Sequence, residues 1–524
     1  MSTTGMVATS QRAATKVGVD VLRAGGNAVD AAIAAAAALA VTEPVSTGLG
    51  GDCFALYYDA ATKKLHALNG SGRAPAGLTR ERFAERVHDN PLDANAVTVP
   101  GACAGWLDLL AAHGTWKRDR VLAPAIELAE HGYAVGDITA HYWQLNADRL
   151  GKLQRDISEL TIEGRAPHSG ETFRNPGMAK TLRTISNGGK DAFYRGEIAA
   201  AIEAVVQGAG GALTQADLAA HTSTWDEPIS TTYRNVRVWE CPPNGQGITA
   251  LLALNILENI ELAGLDPLGA DRMHILIEAM RLAFADTRWY VADPHVTHVP
   301  VAELLAKDYA KARAALIDRT RATADVKRGS PVASSDTVYF CVVDGDGNAC
   351  SFINSNYMGL GTGLVPKGFG FSLQNRGANF SSDPTHPNVV APGKRPYHTI
   401  IPGMLTNLDG TLVGPFGVQG GFMQPQGHVQ VVTAMIDDGV APQAALDRAR
   451  FSIEPVDGAQ AILLEQDVPA ATVAELERRG HKVKGGITGY ERSAFGRGQI
   501  IRRDAGGHLT GGSDNRADGV VEST

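Results

Sequence analysis

Two strand-forming runs lie almost end to end in the middle of the chain, TVYFCVV from Thr337 and ACSFIN from Ala349, separated only by Asp344-Gly345-Asp346-Gly347-Asn348. β-Branched and aromatic side chains favour extended backbone, and Asp-Gly steps supply the conformations of a tight turn, so this stretch reads as an antiparallel hairpin. A turn centred between Gly345 and Asp346 sets Cys341 opposite Cys350 and Thr337 opposite Asn354, leaving Ser355 beside Thr337. A strand-initial threonine has two readings. It is a β-former, or, if the chain is cut before it, a nucleophile carrying its own base. An α-amine with a pKa of ~7.7–8.0 is partly neutral at neutral pH and can take the hydroxyl proton. The small polar Ser334-Ser335-Asp336 ahead of it is compatible with such a cut.

Composition narrows the partners. With 48 basic against 56 acidic residues and a net charge of −8, the chain has no broad basic footprint for nucleic acid, while a small molecule remains compatible as ligand. The length of 524 residues suits one large or two to three ordinary domains. Five cysteines without a CxxC pair argue against a disulfide framework or a zinc site, and no metal or cofactor is expected. Cys53, Cys103 and Cys241 read as small buried residues; Cys341 and Cys350 read as cross-strand neighbours kept as thiols by a reducing compartment. The N-terminal stretch lacks an apolar core followed by a small-residue cleavage site, which points to the cytoplasm. The longest apolar run, Ala31 to Val41, is far short of the ~20 residues that span a bilayer and reads as a buried helix.

Along the chain, Gln11 to Val41 reads as Ala-rich helices, with Gly25-Gly26 as a stop and Asn27 as the next cap. Val97 onward reads as a strand turning at Pro100-Gly101 into a helix. Further helices are expected over Val121 to His131 and Ile198 to Val206. TTYRNVRVWECPPNGQGITALL reads as strand, loop and helix in α/β alternation. The run from His274 is a periodic helix ending before Pro294, whose charged residues read as a solvated or paired face with no assigned chemistry. GLGGD near Gly48 lacks the full pattern of a phosphate-binding loop. From Arg321 the composition becomes basic, small and turn-prone, as in a linker.

Taken together, GGNAVDAAIA, EPVSTGLGGDCF, SGRAPA around Arg73, VPGACAGW, YVADP, Asp336-Thr337, VVDGDGNA, KRP, QGG and SDNRADG resemble, in order and over nearly the whole chain, the γ-glutamyltransferase (glutathione hydrolase) family of N-terminal nucleophile hydrolases. The resemblance implies an α+β fold, the αββα four-layer sandwich, formed jointly by both subunits of a proenzyme that cleaves itself. Residues 1–336 would form the large subunit, ending in a linker at about 321–336, and residues 337–524 the small one. Asp336 and Thr337 would flank the cut, the two subunits would stay associated, and a dimer of heterodimers is compatible. Thr337 matches the catalytic nucleophile and Ser355 the residue that bonds its amine. Gly420 and Gly421 match the pair whose N–H groups form the oxyanion hole, and Arg73 matches the arginine that holds a substrate carboxylate.

Departures from the family pattern bear on the substrate. Asn379 stands where the glutathione-processing enzymes have an aspartate for the γ-glutamyl ammonium. His398 and Thr399 replace paired serines, and Tyr357 replaces a binding asparagine. The stretch between Phe380 and Lys394 is short, so the lid of the bacterial transpeptidases is expected to be missing. The pattern resembles the family's acylase and amidohydrolase side branch, which includes glutaryl-cephalosporin acylases and oxamate amidohydrolase. The expected activity is hydrolysis of the amide of a small carboxylate-bearing acyl group, with water as acceptor and no membrane partner. A γ-glutamyl transpeptidase or glutathione hydrolase, an oxamate amidohydrolase and a catalytically silent binding protein are the alternatives.

Overall fold

In the computed structural model of the protein, residues 5–324, 326, 336–456 and 459–524 are described. Most of the expected linker, residue 325 and residues 327–335, lies outside them. Two antiparallel sheets form the centre. The first has seven strands in the order Val520–Ser523, Met6–Thr9, Asp336–Val343, Ala349–Tyr357, Asp52–Asp59, Lys64–Gly70 and Thr224–Asp226. The second has six, Leu509–Ser513, Arg497–Arg503, Leu412–Gln419, Gly403–Asn407, Val236–Glu240 and Ile229–Tyr233. Each sheet takes strands from both sides of the Asp336–Thr337 bond, so neither half of the chain could complete a sheet alone.

Alternation along the strands gives each sheet two apolar faces. Phe54, Leu56, Tyr339, Cys341 and Ile353 from the first sheet meet Met404, Leu412 and Ile501 from the second in the central core. Val338, Phe340, Val342 and Phe352 point the other way, into a layer of helices that includes Arg12–Arg23, Ala28–Thr42 and Ala102–His113. Helices Gly247–Leu257, Ala270–Tyr290 and Met423–Ile436 cover the outer face of the second sheet. The αββα sandwich expected from the resemblance is present.

Helix Ala28–Thr42 shows how local sequence sets the packing. Asn27 caps it through a full capping box with Asp30, and every one of its residues is buried. Its alanines let the helix lie close against the hairpin strands. Asp344, in the hairpin turn, accepts a hydrogen bond from Ala28 N at 3.0 Å and so ties the turn to the helix start.

The hairpin register differs from the expectation by one residue. Cys341 faces Ser351 and Cys350 faces Val342. The turn is centred on Asp346: Asp344 N bonds Asn348 O, Gly347 N bonds Asp344 O, and Gly347 takes the left-handed conformation at φ +86°. This is a three-residue loop, which moves the pairing axis by half a residue and exchanges faces. Cys341 lies in the core between the sheets and Cys350 against the helices, so they are not the cross-strand pair expected. All five cysteines are buried free thiols.

Two other expectations change. Val97 to Pro100 joins no sheet. The segment expected as one strand in an α/β alternation is an antiparallel hairpin, Ile229–Tyr233 with Val236–Glu240, split by Arg234-Asn235. No helix among the described residues is long and apolar enough to cross a membrane, and among them no His, Cys, Asp or Glu cluster could hold a metal.

Candidate active site

Thr337 is fully buried, one residue into its strand. Asn354 pairs with Val338 and Tyr357 with Asp336, so Ser355 and Asn356 together oppose Thr337 in a β-bulge. The bulge aims Ser355 at the threonine, with the two hydroxyl oxygens 3.1 Å apart. It also forces Tyr357 to φ +76°, a costly conformation for a bulky residue and one that recurs at functional sites. Gly51 packs behind the bulge; a Cβ there would lie 2.2 Å from the Ser355 carbonyl oxygen.

Ser355 Oγ accepts from Tyr357 N at 2.9 Å and from Arg376 Nη2 at 3.1 Å. The Ser355 and Thr337 hydroxyls form a hydrogen bond in which either oxygen can be the donor. Gln424 Nε2 donates to the same Thr337 oxygen at 3.4 Å.

Gly420 and Gly421 form the joint between strand Leu412–Gln419 and helix Met423–Ile436. Their φ values of +127° and +58° suit glycine alone at such a turn. Gln246 clamps the joint, donating from Nε2 to the carbonyls of Gly421 at 2.8 Å and Thr399 at 2.7 Å. Neither glycine N–H has a hydrogen-bond partner among the described residues.

Arg376 escaped the sequence reading. It is fully buried, donating from Nη1 to Thr399 Oγ1 at 2.6 Å and from Nη2 to Ser355, with its guanidinium 4.5 Å from the centre of the Tyr357 ring. Burial pushes its pKa down to about 10, against the opposing pull of Asp52. No carboxylate lies within ion-pairing distance among the described residues. Its sole sequence signal is a cation inside the otherwise neutral SLQNRGANF.

Asp52, also missed, organises the layer behind. Its Oδ1 accepts from Gly72 N, Gly101 N and Gln374 Nε2 at 2.9, 3.1 and 3.0 Å, and its Oδ2 lies 3.0 Å from His398 Nε2. His398 is consequently not placed as a substrate contact. Nδ1 accepts from Ile400 N at 3.4 Å, which leaves Nε2–H to donate to Asp52, so both ring nitrogens are used within the protein. Burial, aided by the Arg376 charge, lowers the His398 pKa to about 3.

Arg73 is half-buried and donates from Nη1 to Thr222 O at 3.2 Å, a carbonyl it shares with buried Arg395. Among the described residues it makes no hydrogen bond to Thr337. Asn379 lies beside the Tyr357 hydroxyl, yet its buried Nδ2 makes no hydrogen bond of normal geometry. The structure therefore assembles Thr337, Ser355, Tyr357, Arg376, Thr399 and the Gly420-Gly421 joint, with Asn379 adjoining; Arg73 and His398 stand outside that contact network. A cavity of about 490 Å³ opens alongside, lined by Asn379, Tyr397, Phe422 and Arg288 among others; Arg73 does not line it.

The Gamma-glutamyltranspeptidase family profile matches residues 14–524. The chain belongs to this family. Within it, the chain is 36% identical over 525 residues to the "Glutathione hydrolase-like YwrD proenzyme" of Bacillus subtilis (strain 168), covering 99% of this chain and 98% of the relative. It is 34% identical over 536 residues to the "Oxamate amidohydrolase proenzyme" of Klebsiella pneumoniae, with 99% and 98% covered. The crystal structure of a cephalosporin acylase from Bacillus halodurans superposes with a TM-score of 0.92 at 47% identity, covering 99% of this chain and 95% of that one. The chain is an amide-bond hydrolase of the gamma-glutamyltranspeptidase family, and its sandwich is that of the N-terminal nucleophile hydrolases.

Proposed function

We propose that the chain is a proenzyme that cuts itself between Asp336 and Thr337 and then hydrolyses the amide of a small carboxylate-bearing acyl group through an acyl-enzyme on Thr337. The observation that carries this reading is the buried Thr337 hydroxyl, 3.1 Å from Ser355, near a glycine pair whose two N–H groups have no hydrogen-bond partner among the described residues. After the cut, the Thr337 amine takes the hydroxyl proton and the oxygen attacks the amide carbon. Gly420 and Gly421 N–H groups hold the oxyanion, an effect of ~2.7–4 kcal/mol for one such donor. Collapse of the tetrahedral adduct breaks the C–N bond, and the leaving amine takes the proton. Water, giving a proton to the Thr337 amine, then attacks the ester; the C–O bond to Thr337 breaks, the proton returns to its hydroxyl oxygen and the carboxylic acid is released.

Both curated relatives named above are called proenzymes, one an oxamate amidohydrolase, and the structural relative is a cephalosporin acylase. Asn379 in place of the family aspartate favours an acyl group without an ammonium. The names of the glutathione hydrolases keep γ-glutamyl amides as the second reading. The test is a hydrolysis panel of γ-glutamyl, glutaryl and oxamyl amides with a common leaving group. Glutaryl turnover at least equal to γ-glutamyl is expected; a strong γ-glutamyl preference would return the chain to the glutathione branch.

A further inference from the structure

The helix Ala270–Tyr290 carries one charged side chain that is half-buried and pairs with no anion among the described residues. Arg288, in its last turn, has Nε and Nη1 buried without a partner, and its guanidinium takes part in no hydrogen bond or ion pair among the described residues. Two rings sit against it, Phe284 at 4.7 Å and Phe422 at 4.6 Å from the guanidinium carbon to the ring centres. Aromatic faces stabilise a cation from above but satisfy none of its in-plane N–H groups. Glu454 is close enough to feel its charge, yet lies beyond ion-pairing distance and accepts from Ser452 Oγ at 2.9 Å.

Arg288 lines the cavity of about 490 Å³ that also contains Asn379, Tyr397 and Phe422. Its neighbours connect this cavity to the Gly420-Gly421 joint. Phe422 follows Gly421 directly. The Tyr397 hydroxyl donates to Gln246, which clamps the Gly421 carbonyl. Asn388 joins the two walls, donating to Asn379 O at 2.7 Å and accepting from Tyr397 N at 3.0 Å. A guanidinium that lines a cavity and has no anionic partner among the described residues matches a carboxylate entering that cavity.

We propose that Arg288 is a specificity-determining residue that binds a carboxylate of the substrate in this cavity. The proposal rests on the amidase reading above and adds to it a residue for which the family resemblance offers no role. The carboxylate belongs to the acyl group or to the leaving group, and two substrate pairs separate these sources. Glutaryl and valeryl p-nitroanilides differ in an acyl-side carboxylate; valeryl p-aminobenzoate and valeryl anilide differ in a leaving-group carboxylate.

The experiment compares self-processed wild type with Arg288→Met, which keeps an apolar stem between the rings, and Arg288→Lys, which keeps the charge without the fork. For one pair, Arg288→Met should lower the kcat/KM ratio of charged to uncharged substrate by roughly ten- to hundredfold, as for a lost charge-assisted hydrogen bond. Arg288→Lys should fall between. Glutarate binding by calorimetry reads the subsite without turnover and should weaken in Arg288→Met if the acyl pair is the one that moves. Unchanged ratios for both pairs in Arg288→Met overturn the proposal. A wild type that cleaves none of the four amides defeats the amidase reading instead, and glutarate affinity then decides the subsite: loss in Arg288→Met upholds it and no change overturns it.

Discussion

Replacing Arg376 with glutamine should move the acid limb of the pH–rate profile upward. The Arg376 guanidinium and the Thr337 hydroxyl are linked through Ser355 Oγ by two contacts of 3.1 Å. They are therefore within roughly 6 Å of each other, and an effective dielectric of ~20 gives a repulsion of about 2–3 kcal/mol between the guanidinium and a cation at that distance. The amine freed by the cut sits on the same residue, slightly farther away and partly screened by the adjoining cavity. A depression of about one unit from the ordinary α-amine range of ~7.7–8.0 follows. Only the neutral amine can take the hydroxyl proton, so the wild type should hold its activity to a lower pH than an unassisted amine would allow. Arg376→Gln removes the charge, and kcat/KM for an uncharged acyl anilide should lose about tenfold more than wild type at pH well below the limb. The uncharged substrate keeps effects on carboxylate binding out of the measurement. An acid limb that does not move, with activity lowered equally at all pH values, would show that Arg376 only holds Ser355 and Thr399 in place.

Three further outcomes are expected. Arg73→Ala should raise KM for carboxylate-bearing amides more than for uncharged ones if it holds the carboxylate as the family resemblance implies; equal losses would mean that it serves the fold through Thr222 O and its neighbour Arg395. Asn379→Asp should shift the ratio of γ-glutamyl to glutaryl turnover toward γ-glutamyl, by no more than roughly 100-fold for one charged hydrogen bond, and an unmoved ratio in steady-state assays would exclude this position as the ammonium receptor. Burial holds both His221 and His398 at pKa values of about 3. Because the unfolded histidines take up protons below ~6.5, the stability they contribute is full above that pH and is lost as pH falls toward 3, at up to about 1.4 kcal/mol per pH unit for each. Denaturant titrations from pH 7 to 4 should show this slope, reduced in His221→Phe; an identical slope in that variant would contradict the assignment.

Much of the site is legible in the sequence because its parts are local. Asn27 with Asp30, the all-small helix that follows and the strand-glycine-helix joint at Gly420-Gly421 each express a backbone demand in a few neighbouring residues. The hairpin was recognisable for the same reason, but its register was not. The Asp-Gly-Asp-Gly-Asn run allows more than one turn, and the choice depends on Asp344 bonding both the loop and the start of a distant helix. Arg376 and Arg288 were harder still. Each is a single cation in a segment whose pattern says core or surface helix, and only the packing of Tyr357 against buried Arg376, or of Phe284 and Phe422 against half-buried Arg288, reveals its place beside the candidate site. His398 shows the converse: the motif placed it at the site, while Asp52, far away in sequence, claims its ring.

The central claim is that Thr337 becomes the N-terminal nucleophile of this enzyme. Intact-mass spectrometry of the purified protein, acid-quenched during turnover of a glutaryl amide, tests cleavage and acylation at once. Two fragments are predicted, the smaller beginning at TVYFCVV and carrying the added mass of one glutaryl group; Thr337→Ala should give one uncut chain without the adduct. A wild-type chain that stays whole, or a glutaryl group found on the larger fragment, would contradict the account.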